Sequence, residues 1–411
     1  LERPRHKRLW LAISLAGNLG SLALFKYSFF LALTADSILL HLTGQQCGLS
    51  GSIPAFALIL PVGISFYTFQ SMSYTIDVYM GRLRPVRNLW HFFAFLVMFP
   101  QLVAGPIIRA RDILGQLASV RPLTADGTWS GIRLFVIGLF QKAVIADNLA
   151  PLVDDVYNGR IPVSGSLVWW AATIAFAFQI YCDFSGYSLM ARGLARMMGY
   201  HFKMNFNHPY IATSMRGFWT RWHISLSTWF RDYVYIPLGG NAKGRAHGLL
   251  YMSMTMIISG FWHGANWTFL VWGGIHALAL AIERSVGRHF SKAVPADPVR
   301  SFLSWLLVMV TVLIGWVFFR SADLGSALTA LGHMFRIKWT TEGYQYFYNE
   351  LIFLSLAILI EVFMAAASAH PFRSVRLTMR HPTWHAIALA MLATACIFLR
   401  GPVSEFIYFQ F

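Results

Sequence analysis

Two histidines stand where this sequence could run acid–base chemistry. His263 lies in SGFWHGANWTF, residues 259–269, between the runs 248–262 and 267–282, which carry no charged side chain. A run of about 15 residues rises only about 22 Å as a helix, less than the roughly 30 Å of bilayer hydrocarbon, so the turn at 263–266 is expected inside a membrane. Polar groups survive at that depth inside protein or beside water, which makes them functional candidates. A neutral imidazole there can accept the proton of a hydroxyl, while Asn266 and nearby backbone amides can orient the ring or stabilise an oxyanion.

His223 belongs to a more polar stretch, NFNHPYIATSMRGFWTRWHISLSTWFRDYVYIPLGGN, residues 205–241. A helix is predicted over 215–232, stopped by Pro237, Gly239 and Gly240, with Trp219, His223 and Ser227 on one face at i, i+4 and i+8. Such a helix is too polar to span; it is expected to lie along the cytoplasmic interface or to plug a cavity. On depth, His263 is therefore expected as the base and His223 as a secondary polar partner. Trp262 and Asp232 join them as candidate supporting residues. Asp183, in YCDFSGY at 181–187, ends an otherwise apolar span and is either hydrogen-bonded to a neighbouring helix or a wall of the reaction chamber. Each residue also has a plainer reading, since a histidine between Trp262 and Gly264 is often a hydrogen-bonded packing residue.

The elements that position these groups follow from composition. Of 411 residues, 56% are hydrophobic, 16% aromatic and only 12% charged, about half the charged fraction of a soluble domain. The predicted fold is an all-α, polytopic transmembrane bundle with re-entrant or broken helices around an intramembrane chamber. It forms one domain over residues 1–411 with its core at 55–285. Apolar runs fall at 9–35, 53–79, 89–104, 131–146, 167–184, 249–262, 267–282, 302–319, 351–367 and 384–399. The net charge of +16 is dispersed through short loops, as membrane topology requires, and does not indicate nucleic acid. Three scattered cysteines, Cys47, Cys182 and Cys396, suit neither a disulfide framework nor a metal site.

Residues 34–52 lack Lys and Arg, whereas Arg82, Arg84 and Arg87 follow the second run, so 1–8 and 80–88 are placed in the cytoplasm. The acid-leaning stretch after 146 (Asp147, Asp154, Asp155) and the segment 321–350, with Tyr344, Tyr346 and Tyr348 as interface anchors, are expected outside. Arg192, Arg196, Lys203, Arg284, Arg288, Lys292, Arg373, Arg376 and Arg380 mark returns to the cytoplasm. The opening LERPRHKR reads as a loop cut open, with earlier spans expected before it.

The segments at 99–109 (FPQLVAGPIIR), 181–210, 216–241 and 259–273 resemble the membrane-bound O-acyltransferase family, most closely its bacterial alginate O-acetyltransferase branch. The resemblance is close over residues 55–285. It implies transfer of an acyl group from a cytoplasmic thioester, acetyl-CoA or an acyl carrier, to an acceptor on the outer face of a bacterial inner membrane. It maps the family's intramembrane histidine to His263 and a preceding polar histidine to His223, and it implies no metal and no bound cofactor. The acceptor is expected to be an exopolysaccharide such as alginate, reached directly or through a periplasmic partner; cellulose, peptidoglycan and D-alanylated teichoic acid are alternatives. Lys203, Arg216, Arg221, Lys243 and Arg245 are expected to attract the donor's phosphates.

Two other classes compete. A transporter would carry intramembrane His and Asp as a proton relay, with repeated halves that this sequence does not show. A haem protein would use His263 and His276, but ligation needs partners on a facing helix.

Overall fold

The computed structural model describes residues 6–45, 47–102, 105–119, 121–161, 165–290, 297–336, 347–369 and 382–407. Among these the regular structure is entirely helical. In chain order the helices are α1 (Lys7–Thr43), α2 (Ile64–Tyr79), α3 (Leu89–Leu96), α4 (Ala110–Leu117), α5 (Ala125–Tyr157), α6 (Ser166–Met197), α7 (Met215–Trp219), α8 (Ile224–Phe230), α9 (Arg245–His263), α10 (Trp267–Phe290), α11 (Pro298–Arg320), α12 (Leu324–Phe335), α13 (Tyr348–Ala369) and α14 (Pro382–Phe398). Five of them, α1, α5, α6, α10 and α11, are long and apolar enough to cross a membrane. The chain is a multi-pass membrane protein.

Local chemistry sets the boundaries. Gly44, at φ 72°, gives α1 a left-handed stop that other residues adopt only with strain. Asp36 ties the following turn back to α1, accepting from the backbone of Leu49 and Ser50 at 2.8 Å each. Thr124 caps α5 by accepting from Gly127 N, and Asp297 caps α11 immediately before Pro298.

Apolar helices in lipid gain little from the hydrophobic effect when they meet, so close backbone approach has to hold them. Helices α5 and α6 achieve this through two reciprocal glycine contacts. A Cβ on Gly138 would lie 2.5 Å from Gly186 O, and one on Gly186 would lie 2.7 Å from Gly138 O. One heptad away, Gly131 and Gly193 repeat the arrangement at 2.7 and 2.6 Å. The α9–α10 hairpin is equally tight, because a Cβ on Gly273 would stand 2.7 Å from Met256 O. Trp222, Trp272 and Trp316, each 1% exposed, fill the space between these pairs.

Several sequence expectations change. The helix predicted over 215–232 breaks between Trp219 and Ile224, because His223 takes left-handed backbone at φ 40°. Trp219, His223 and Ser227 therefore do not form one helical face. One side of the segment is buried, with His223 0% exposed and Trp229 3%, while Arg216, Thr220 and Arg231 on it are exposed. The stretch after residue 146 is not a loop but the end of α5, where Asp147 pairs with Lys142 and Asp154 with Arg320. The predicted loop at 34–43 is likewise the end of α1, and 53–63 carries only one short 3-10 turn, Ala55–Leu58, before α2. The 89–104 run does divide, into α3 and a single turn at Phe99–Leu102. Tyr344, Tyr346, Lys292, Arg373, Arg376 and Arg380 lie outside the described residues.

Candidate active site

His263 is the last residue of α9, and Gly264 leaves the helix in extended backbone (φ −162°) before α10 begins at Trp267. The histidine is 3% exposed, with Trp262, Trp272 and Phe319 around its ring at centroid distances of 5.0, 5.1 and 5.2 Å. The end of a helix leaves carbonyls without intrahelical donors, a costly state in a dry interior. Lys26 of α1 answers it, donating from Nζ to the carbonyls of Trp262 and His263 at 2.8 Å each. Lys26 was missed in the sequence, although a lone lysine inside the apolar 9–35 run was the available signal. Lys26→Met should lower stability by roughly 1–3 kcal/mol, two hydrogen bonds at about 0.5–1.5 kcal/mol each, and slow catalysis several-fold by freeing the end of α9. Thermal unfolding in detergent beside activity per folded molecule checks this; an unchanged midpoint would contradict it.

His223 is built differently. Asn205 Oδ1 accepts from Ser225 N at 3.1 Å and Ser225 Oγ at 2.8 Å, and lies 3.2 Å from His223 Nδ1. Ser225 N can only donate, so the amide oxygen faces this group and Nδ1 must carry the ring proton. That leaves Nε2 with the lone pair, and among the described residues it has no hydrogen-bond partner. Asn205, 1% exposed and steadied by Ser188 Oγ at 3.0 Å, was also missed, because nothing local marks which asparagine of NFN turns inward.

Trp262 stands between the two imidazoles, 5.0 Å from His263 and 6.4 Å from His223. Burial does not rank the histidines, as both are enclosed; what they face does. His263 and Trp262 line a cavity of about 480 Å³ with Lys26, Phe66, Tyr187 and Phe406. A second cavity, about 260 Å³, is walled by Arg109, Arg111, Asp112, Lys203, Ser225, Arg231 and Asp232. No residue lines both, and His223 lines neither. Ser225 connects the second cavity through Asn205 to His223.

The remaining candidates sort by contact. Asp232 belongs to the basic cavity, paired with Arg109, with Arg231 at 2.8 Å and with Arg111 at 3.5 Å. Partial burial opposes its ionisation, but hydrogen bonds and charge from Arg231 and Arg109 outweigh that and hold its carboxyl below the usual range. Four cations therefore face two carboxylates there. Asn266 does not reach His263: its oxygen accepts from Thr268 N at 3.1 Å and its nitrogen donates to Ala322 O at 2.6 Å, which fixes the start of α10. Ser227 donates to Trp222 O and borders neither cavity. Asp183 pairs with Lys142 at 2.9 Å and accepts from Ile407 N at 2.8 Å, so it supports the first cavity from behind. Of the five expected phosphate-binding cations only Lys203 lines the basic cavity; Arg245, for one, donates to the carbonyls of Arg284 and Ser285.

Residues 82–326 match the membrane-bound O-acyltransferase family. The chain belongs to this family of integral membrane proteins. It is 42% identical over 334 residues to the "Probable alginate O-acetylase AlgI" of Pseudomonas putida, covering 81% of this chain and 66% of that one. It is 34% identical over 358 residues to the peptidoglycan O-acetyltransferase of Helicobacter pylori, covering 80% and 65%. With the teichoic acid D-alanyltransferase of Bacillus subtilis the identity is 30% over 243 residues, covering 55% and 60%. The chain spans 61% to 66% of the length of its alginate relatives.

Proposed function

We propose that this chain is an O-acyltransferase that moves an acetyl group from a cytoplasmic thioester, acetyl-CoA or an acyl carrier, to a hydroxyl of a cell-envelope polysaccharide. The observation that carries this reading is a buried histidine on one cavity, separated by a second histidine and a tryptophan from a basic cavity. The donor's anionic portion binds among Arg109, Arg111, Lys203 and Arg231, from the face that positive-inside charge assigns to the cytoplasm. The acceptor hydroxyl enters the cavity beside His263. His263 takes its proton, the oxygen attacks the thioester carbonyl, the carbon–sulfur bond breaks and the thiolate leaves to be protonated. His223, held in one tautomer by Asn205, is the polar partner at the junction of the two sites.

The membrane is the bacterial inner membrane, and the first acceptor to test is alginate, the polymer named for the most similar relatives quoted above. Peptidoglycan follows, on the Helicobacter relative; a periplasmic protein that completes the transfer belongs to the same reading. The test uses protein in sealed vesicles, radiolabelled acetyl-CoA on the outside and alginate oligomers, peptidoglycan fragments or a periplasmic extract within. Label in an acceptor supports the proposal; labelled acceptor at the rate of protein-free vesicles sinks it.

A narrower expectation concerns the donor. Arg111→Met with Lys203→Met should raise the donor KM about tenfold, the equivalent of about 1.4 kcal/mol, while leaving kcat alone. The difference should shrink as salt rises, because exposed charges are screened. A KM that ignores both substitutions removes the phosphate role.

A further inference from the structure

One wall of the His263 cavity is not a helix. Ser404, Glu405 and Phe406 line it, in an irregular segment that follows α14. Irregular backbone beside a membrane chamber must find its hydrogen bonds in neighbouring protein. Here they come from charged groups on α5 and α6. Lys142 stands 2.8 Å from Asp147 and 2.9 Å from Asp183, joining the two helices. It donates to the carbonyl and hydroxyl of Ser404 at 3.1 and 3.2 Å. The Ser404 hydroxyl donates to Asp147, and Ile407 N donates to Asp183 Oδ2 at 2.8 Å. Upstream, Gly401 N donates to Ala143 O within the π-helical turn Gln141–Ala146, and Leu399 O accepts from Asn148. Gly401 fits only as glycine, because a Cβ there would run into the backbone of Asp147. Two side chains of the segment are seated, each 2% exposed: Phe406, against Tyr187 at 4.6 Å and Phe184 at 5.7 Å, and Ile407 in the main apolar cluster.

We propose that Lys142, Asp147 and Asp183 form a clasp that seats residues 399–407 as a separable wall of the acceptor cavity, with Lys142 a positioning residue acting through Ser404. The clasp deepens the reading above, since the word acceptor rests on it. Three buried charges at the α5–α6 crossing have a packing role only if they bind each other; these also bind the segment at three points. The helices bring the charges, the charges seat the segment, and the segment gives the cavity its shape beside His263.

The test compares the parent with Lys142→Met and with Ser404→Ala/Ile407→Pro. The second variant leaves the three charges paired among themselves and takes from the segment the Ser404 hydroxyl, the Ile407 N–H and the buried Ile407 side chain, so it reports even where Lys142→Met does not fold. Backbone hydrogen exchange over 399–407 should quicken at least about tenfold in a folded variant, with α5 and α6 still protected. The acceptor KM should rise several-fold while the donor KM holds. Unchanged exchange in the segment would overturn the clasp; faster exchange with an unchanged acceptor KM would overturn its place in the acceptor site. Exchange is read without turnover, so failure of the acyl-transfer reading itself would appear separately, as absent transfer by the parent.

Discussion

A His263→Ala protein is expected to purify folded and to transfer acyl groups at least about 100-fold more slowly than the parent, the usual range for losing a general base. Trp262, Trp272 and Phe319 are among the ring contacts of His263, and all three keep other partners: Trp262 stacks on Phe69 at 5.2 Å, Trp272 on Trp316 at 6.2 Å, and Phe319 meets Phe269 at 4.9 Å. The lysine that holds the helix end binds backbone carbonyls, which the substitution leaves in place. Truncation should therefore cost about 1–3 kcal/mol, as ordinary buried substitutions do, and spare the bundle. His223→Ala should lose less in kcat, because His223 borders neither cavity. It should lose more in stability, because Asn205 and Ser225 are left to re-pair in the interior. Transfer in vesicles, normalised to folded enzyme, decides: near-normal turnover by the His263 variant would remove it as base, and a larger kcat loss at His223 would exchange the roles.

Gly138→Val should abolish the folded protein, and Gly186→Val should do the same. Each side chain would enter the backbone of the facing helix, where no rotamer change can make room; the first contact on either side is a carbonyl oxygen, at 2.5 and 2.7 Å. Overpacking of a well-packed core, where side chains and backbone can still shift, costs about 1–3 kcal/mol, and backbone against backbone lies at or beyond the upper end. The crossing also sets the distance from Lys142 on α5 to Asp183 on α6, so separating the helices strands buried charges as well. Gly274→Ala is the control, with nothing within 4 Å of the added Cβ. Size-exclusion profiles in detergent should show the valine variants aggregated and the control monodisperse; a folded Gly138→Val protein would refute the tight-crossing account.

What the sequence determined by itself was the solvent and the class of the fold. Long unbroken apolar runs with 12% charge overall read as helices in lipid, because a helix satisfies every backbone group within its own segment, whereas strands of a membrane barrel alternate apolar and polar residues. It also placed His263 in a turn between two uncharged runs, and that is where α9 gives way to α10. The division of the 89–104 run also has a local signal, since Pro100 and Gly105-Pro106 interrupt a helix. Helix lengths were less legible: the acidic stretch of α5 looked like a loop until Lys142 and Arg320 supplied partners from one turn and from another helix.

Only the tertiary structure decided which polar groups meet. Lys26 caps a helix end 236 residues away, Asn205 selects the tautomer of His223 from 18 residues away, and Asp183 binds a backbone amide 224 residues away. Hydropathy and helical period record what one segment does with its own neighbours. They carry no information about the partner that a buried lysine or carboxylate finds across the bundle, and a dry interior requires that there be one. The left-handed turn at His223 is the sharpest case: a run that reads as one helix breaks where Asn205, from outside the run, binds both that histidine and Ser225. The two cavities depend on these same long-range contacts, and no local pattern in the sequence encodes them.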